Sequence, residues 1–364
     1  MLSAYMDIVR IRFLMMLAYR VNYYSGIVIY ALNIGAYYFL WKAIYGGKEL
    51  LGGMTVTQMT TYVAVSWMAR AFYFNNLDRE IANEIKDGSV AIQFIRPYNY
   101  IIVKMMQGLG EGLFRFLLFS TPGMVVVSPL FPMQSPHDPH VWLIFLIMLF
   151  FSFLINSQIN IITGLFAFFL ENNEGLMRMK RVAVDLFSGL VVPMSFFPGW
   201  AEKLMNFLPF PAITYLPGSV FTGKAAGGMA YQVLGIQIVW FLLLIVPLYL
   251  LWRGARTRLF VQGGDGIMFY AGLIVDYLKN YMKTRLTYRS DFWMEVLSDL
   301  LFNGLNLFFL LVVFQHTAAI GNWNEQQILF IYGYFMVPYG LFITFLTYGA
   351  LPSVTSSRER WTAF

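Results

Sequence analysis

The sequence predicts an all-α integral membrane protein with about eight transmembrane helices. Three observations carry that prediction. Of 364 residues, 59% are hydrophobic and only 12% charged, against about 45–50% and about 25% in soluble domains. The mean hydropathy is +0.61. Apolar runs of the roughly 20 residues needed to cross a bilayer recur along the chain. The 18% aromatic share suits lipid-facing helices with rings at the interface. The absence of cysteine excludes disulfides, thiol nucleophiles and cysteine metal sites. Three histidines make an imidazole-rich centre a poor expectation.

The expected spans are 23–45, 57–77, 107–131, 141–170, 183–198, 232–252, 292–315 and 327–349. The fourth is long enough to tilt or to extend past the bilayer. The fifth is short and stops at Pro193 and Pro198. Residues 1–20 alternate apolar clusters with Asp7, Arg10, Arg12 and Arg20, so they read as an amphipathic helix lying in the interface. No charged, cleavable leader pattern opens the chain. Lys and Arg fix the expected orientation. Most of the 25 fall in segments 10–20, 79–104, 178–181, 253–258, 279–289 and 358–360, which share one side. Lys42, Lys48, Lys203 and Lys224 fall on the other. Positive loops stay cytoplasmic, so both termini are expected inside, and the net charge of +6 is mostly a topology signal. A basic nucleic-acid surface is the weaker reading.

An internal repeat is visible. Residues 17–24, LAYRVNYY, resemble 286–293, LTYRSDFW. The same offset of 269 pairs Gly35 with Gly304, Phe39 with Phe308 and Gln58 with Gln327. The chain therefore reads as a six-span unit, 1–262, followed by a second interfacial helix and two spans, 263–364. The basic, glycine-containing stretch near 253–266 is the junction.

Two stretches carry most of the functional information. In 77–100, Ile81, Ile85 and Ile92 recur at near-helical spacing among Glu80, Glu84 and Lys86, and Asp87–Gly88 stops the helix. Either this is a solvated loop or it is a short helix that docks a partner through apolar anchors inside a charged rim. In 188–224, five prolines (Pro193, Pro198, Pro209, Pro211 and Pro217) forbid one continuous helix in an apolar sequence. Such a segment enters and leaves on one side, its broken backbone buried in protein.

These motifs resemble the type-2 ABC transporter permease family, in its branch of small six-span permeases encoded in pairs. The family's inner loop has the form Glu-x-Ile-x-x-Gly followed by Arg-Pro. Here Glu84–Ile85, Gly88 and Arg96–Pro97 match it in part. The outer series is matched by Ser188–Gly189, Pro193, Phe197–Pro198–Gly199–Trp200, Leu208–Pro209–Phe210 and Tyr215–Leu216–Pro217–Gly218.

The resemblance implies the permease subunit of an ABC exporter in a bacterial plasma membrane. Residues 1–20 would be its elbow helix. Ile81, Glu84, Ile85, Gly88, Arg96 and Pro97 would belong to a coupling helix seated on a cytoplasmic ATPase dimer. Pro193, Pro198, Gly199, Trp200, Pro209, Pro217 and Gly218 would belong to the re-entrant outer gate before the sixth span. A second permease, or a second copy, would complete the pore. The second unit lacks a Gly-x-x-Arg-Pro counterpart, so one chain supplies one whole coupling element. No G-x-x-x-x-G-K-[ST] occurs; ATP and Mg are therefore expected on the partner subunit, with no cofactor on this chain. The alternative is an ATP-independent transporter or scramblase driven through ionisable groups in the spans.

Charged groups inside spans are costly and mark function or helix bridging. Arg70, Glu111 and Arg115 are the candidates, the last two at i and i+4, where they can pair. Asn156, Ser157, Gln158 and Asn160 form a polar run in the fourth span. Either set bonds between helices or lines a translocation path. His137–Asp138–Pro139–His140 is too sparse for a metal cage, and no metal is expected.

Overall fold

The computed structural model describes residues 2–18, 21–96, 98–170, 172–190, 192–256, 289–316, 319–320 and 323–342. The chain divides into two compact units, Met1–Gln262 and Gly263–Phe364. The first contains α1 (Leu2–Ala18), α2 (Val21–Tyr45), α3 (Val56–Tyr73), α4 (Leu77–Lys86), α5 (Val90–Ile95) and α6 (Tyr100–Arg115). A π-helical turn, Phe116–Ser120, joins α6 to α7 (Thr121–Val127). Then follow α8 (Pro139–Leu165), α9 (Glu174–Phe187), α10 (Gly199–Asn206), α11 (Tyr215–Phe221) and α12 (Gly228–Arg256). The second unit contains α13 (Arg289–His316), the two-residue strands β1 (Ala319–Ile320) and β2 (Trp323–Asn324), and α14 (Glu325–Phe342).

Among the described residues, five helical stretches are long and apolar enough to cross a membrane: Ile27–Tyr45, Tyr100–Val127, Pro139–Phe168, Gly228–Arg256 and Leu297–Gln315. The third expected span starts earlier than its apolarity indicates. The Asn99 side chain caps the N–H groups of Ile101 and Ile102, and Lys104 is neutralised by Glu84 at 2.5 Å. The expected fifth span is not one helix. α9 ends at Phe187, Gly189 turns the chain at φ +79°, and a 3-10 turn follows at Met194–Phe196. At 1.5 Å per residue, its 14 residues reach only about 21 Å. α14 covers the eighth span as far as Phe342. The rest of that span, the junction 257–288 and the tail 343–364 lie outside the described residues.

α3 is the central helix. It starts at a capping box in which the Thr55 and Gln58 side chains and backbones bond reciprocally. Its hydroxyls turn inward harmlessly, because Thr60 and Thr61 donate to the carbonyls of Val56 and Thr57 at 2.8 Å. This explains why a helix with so many buried side chains is less apolar than its neighbours. Ala69, Phe72 and Tyr73 pack with Leu149, Phe153, Ile155, Val184 and Ile213 in one core. α1 lies along α6 with Val9 inward and Met6, Ile11, Leu14 and Met15 more than half exposed. Its exposed face carries Asp7 and Arg10 beside these apolar residues, and its inward charge is Arg12.

The geometry ahead of α3 recurs in the second unit at the 269-residue offset. Leu51 bridges Met54, as Ile320 bridges Trp323. The Asn324 and Gln327 side chains cap reciprocally at 3.0 and 2.9 Å, as Thr55 and Gln58 do.

Helices in lipid gain little from hydrophobic burial against one another and depend on close packing. α6 supplies it with Gly108, Gly110 and Gly112. A Cβ on Gly112 would collide with the Phe72 carbonyl oxygen of α3, and one on Gly110 with the Val9 carbonyl of α1. Gly112→Ala should therefore cost about 2 kcal/mol through overpacking. Gly235→Ala, in α12 with open space around it, should be neutral or gain up to about 1 kcal/mol of helix propensity. Thermal unfolding of the two variants in detergent checks the contrast.

Candidate coupling and translocation site

The site begins where α3 stops. Residues 74–76 are not helical, and the carbonyls of Tyr73, Phe74 and Asn75 would be orphaned inside the protein. Each finds a donor. Asn156 donates to Tyr73 at 2.8 Å, Arg115 to Phe74 at 2.7 Å and Asn160 to Asn75 at 3.1 Å. The Asn75 side chain accepts from Asn160 at 2.7 Å and donates to Ser157 at 3.1 Å. Three members of the polar run in α8 thus hold the break. Gln158 points elsewhere and donates to the Phe241 carbonyl of α12 at 3.2 Å.

Ion pairs surround the break. Glu111 pairs with Arg115 on its own helix, as their spacing predicts, and also with Arg12 of α1 at 3.0 Å. Arg12 reaches on to Glu80 of α4. Lys104 pairs with Glu84, whose other oxygen accepts from the Tyr100 hydroxyl at 2.7 Å. Asp78, only 2% exposed, pairs with Lys180 of α9 at 2.8 Å, and Lys180 donates to Asn160 at 2.6 Å. Burial holds the Lys180 ammonium below the usual lysine range, against the opposing pull of Asp78. Arg70 pairs with Asp185 of α9. Sequence reasoning singled out Arg70, Glu111 and Arg115 but missed Arg12, Asp78, Lys104 and Lys180 as partners. Their spacing carries no signal, because they lie on separate helices.

α4 sits under this network. Ile81 is fully buried in a core with Leu77, Val90, Tyr100, Ile161, Leu165, Leu248 and Trp252, and Ile85 packs against the same core. Tyr100 and Trp252 stack there at 5.3 Å. The apolar face of α4 is thus turned to its own bundle. Arg79, Asn83, Lys86 and Asp87 face outward, and Gly88 turns the chain at φ +77° into α5, where Ile92 is 59% exposed. Arg96 is exposed beside Gln93; Pro97 lies outside the described residues.

The proline-rich segment packs along α3, from Tyr62 to Tyr73. Pro193 and Pro198 precede the 3-10 turn and α10, which begins at Gly199. Pro209 leads the 3-10 turn Phe210–Ala212, and Pro217 is buried in α11. Its backbone is broken, and side chains satisfy it where it is buried, around Gly189 and Ala212–Thr214. Tyr62 donates to the Gly189 carbonyl at 2.6 Å and Gln237 to the Ala212 carbonyl at 2.7 Å, while Tyr73 meets the Thr214 hydroxyl at 2.8 Å. Gly218 lets the Tyr62 ring approach; a Cβ would lie 2.7 Å from it. Trp200 is 70% exposed on α10.

Asp138 caps α8 through the His140 N–H at 2.9 Å. With His137 and His140 it borders a cavity of about 360 Å³. No cluster of three or more metal-ligating side chains occurs among the described residues.

Breaking a buried pair costs more than the pair is worth, because one charge is left uncompensated. Asp78→Asn should cost about 3 kcal/mol. Asp78→Asn combined with Lys180→Met should recover more than half of that loss. Denaturant unfolding of the single and double variants tests this, and additivity of the two changes would refute the coupling.

The chain matches the family model described as ABC-2 family transporter protein over residues 31–263 and 300–356. The two matched segments begin 269 positions apart, at the offset of the internal repeat. No curated protein and no solved structure matches the chain. With most of its length matched and its helices long and apolar enough to span a bilayer, the chain belongs to the ABC-2 transporter family, as an integral membrane permease component.

Proposed function

We propose that this permease serves an ABC exporter and is driven by ATP hydrolysis on a separate dimer of ATPase subunits, which carry the ATP and Mg. In this reading the α4 end of the bundle faces the cytoplasm of a bacterial cell, both termini lie inside, and the α10–α11 segment forms the outer gate. A second permease chain, or a second copy of this one, completes the translocation path. The observation that carries the reading is the construction of the α4–α5 turn. Its inner face is locked to the bundle through Ile81, Asp78 and Glu84, while Arg79 and Ile92 are exposed toward another protein and Lys86 reaches Asn172 at 3.3 Å. A partner that moves this turn moves the helices to which it is pinned.

Ile81 and Ile85 serve the bundle in this arrangement, and Ile92 is the exposed anchor. Ile92→Asp should therefore leave thermal stability unchanged and cut the ATPase captured from native membranes by about tenfold or more, the effect of losing an interface anchor. Ile81→Asp should instead abolish folding. The check is a pull-down of the detergent-solubilised chain, with captured proteins assayed for ATPase activity. Full capture by a folded Ile92→Asp variant would remove this surface from the coupling contact.

A further inference from the structure

We propose that the face between α3 and α9 is a binding site for the phosphate headgroup of an anionic amphiphile, with Arg70, Lys180 and Arg181 as its cations. The identification of this amphiphile as cargo rests on the exporter reading above. A small cavity there is lined by Arg70, Tyr73, Asn156, Lys180, Arg181 and Asp185. Three cations converge on it, and Asp185 is the one carboxylate in its wall. Lys180 is additionally held by Asp78. The cluster therefore carries more positive charge than its internal anions balance, on a partly desolvated face where charge is costly.

Arg70 is built for an oxyanion. Its two terminal nitrogens reach the two oxygens of Asp185, the second at 3.3 Å, in the forked arrangement that a phosphate reproduces. The guanidinium lies over the Phe74 ring at 5.2 Å and the Trp67 ring at 5.7 Å. Those rings keep it in place when its partner changes. Asp185 is the displaceable member, because its side chain is 34% exposed while that of Arg70 is 18% exposed. The cavity measures about 20 Å³, room for one water-sized group. A headgroup consequently binds by taking the place of the Asp185 carboxylate on Arg70, with Lys180 and Arg181 flanking it. Asn156 and Asn160 back the site from α8.

This exchange makes a prediction that a purely structural ion pair does not. Removing the charge of Asp185 should strengthen anion binding. The test is calorimetric titration of the full chain, purified in neutral detergent, with dioctanoyl phosphatidic acid, dioctanoyl phosphatidylcholine and inorganic phosphate. The phosphatidic acid should bind best. Arg70→Gln should weaken it about tenfold or more, as expected for losing a charge-assisted pair, and Arg70→Lys, which keeps the charge but loses the fork, should weaken it less than Arg70→Gln without restoring it. Asp185→Asn should tighten it severalfold. Equal binding of inorganic phosphate would assign the site to the free anion and overturn the amphiphile. Equal binding of the phosphatidylcholine, or unchanged or weaker binding by a folded Asp185→Asn variant, would overturn the site itself. The measurement needs no ATPase, so loss of ATPase capture in the pull-down leaves it standing, and its failure leaves the coupling surface standing.

Discussion

The structure depends on how the end of α3 is accommodated. A chain that stops being helical inside a protein in lipid must find donors for every carbonyl it frees, because no water is there to serve. At Tyr73, Phe74 and Asn75 those donors are Asn156, Arg115 and Asn160. Once these bonds are made, the chain leaves α3 in one direction only, and α4 is aimed across the lower ends of α6 and α8. The charges follow from that placement. α4 brings Asp78 to a buried level and Glu80 and Glu84 to a half-buried one, and Lys180, Arg12 and Lys104 arrive from three other helices to neutralise them. The links to Lys180 and Lys104 are made by lysines whose side chains are largely out of water.

The same contacts join α4, through α9 and α3, to the proline-rich segment. Asp78 holds Lys180, and five residues further along α9 Asp185 holds Arg70. One turn beyond Arg70, the Tyr73 hydroxyl meets Thr214 in the broken segment, and Tyr62 of the same α3 helix holds the Gly189 carbonyl. α9 is therefore held at its middle by the Lys180–Asp78 pair and near its C-terminal end by the Asp185–Arg70 pair. At 14 residues, α9 is too short to cross a bilayer.

What could be read from the sequence divides along a physical line. Long apolar helices declare themselves, because lipid imposes length and composition together. The Glu111–Arg115 pair was legible because both ends lie on one helix at a fixed spacing. The stretch 183–198 is apolar enough to pass for a span, and only its Gly189 turn and 3-10 segment show otherwise. Apolarity records burial, not helical continuity. Ile81 and Ile85 show the opposite limit. Helical periodicity says that one face of α4 is covered but not by what, and here the cover is Trp252, Tyr100 and Leu165 of the same chain. The pairing of Arg12 with Glu80 and Glu111 joins residues dozens of positions apart, and no local pattern encodes it.

The repeated hairpin sharpens the division of labour between the units. The bridge and the capping pair ahead of α3 recur ahead of α14, so the local instructions for starting the helix were kept. The interior was not kept. Where α3 carries Thr61, Ser66 and Arg70, the offset of 269 places Phe330, Phe335 and Tyr339, which are 73%, 64% and 52% exposed. A hydroxyl or guanidinium at those positions is tolerable in α3 because neighbouring helices supply its partners. Aromatic rings at the same positions suit a surface in contact with lipid. Loss of the arginine also removes the group that answers Asp185 in the first unit. The helix at the repeated position thus shares the start signals of α3 but lacks the polar groups that tie α3 to α9. The network of Arg12, Asp78, Glu80, Glu84, Lys104, Glu111, Arg115 and Lys180 lies in the first unit.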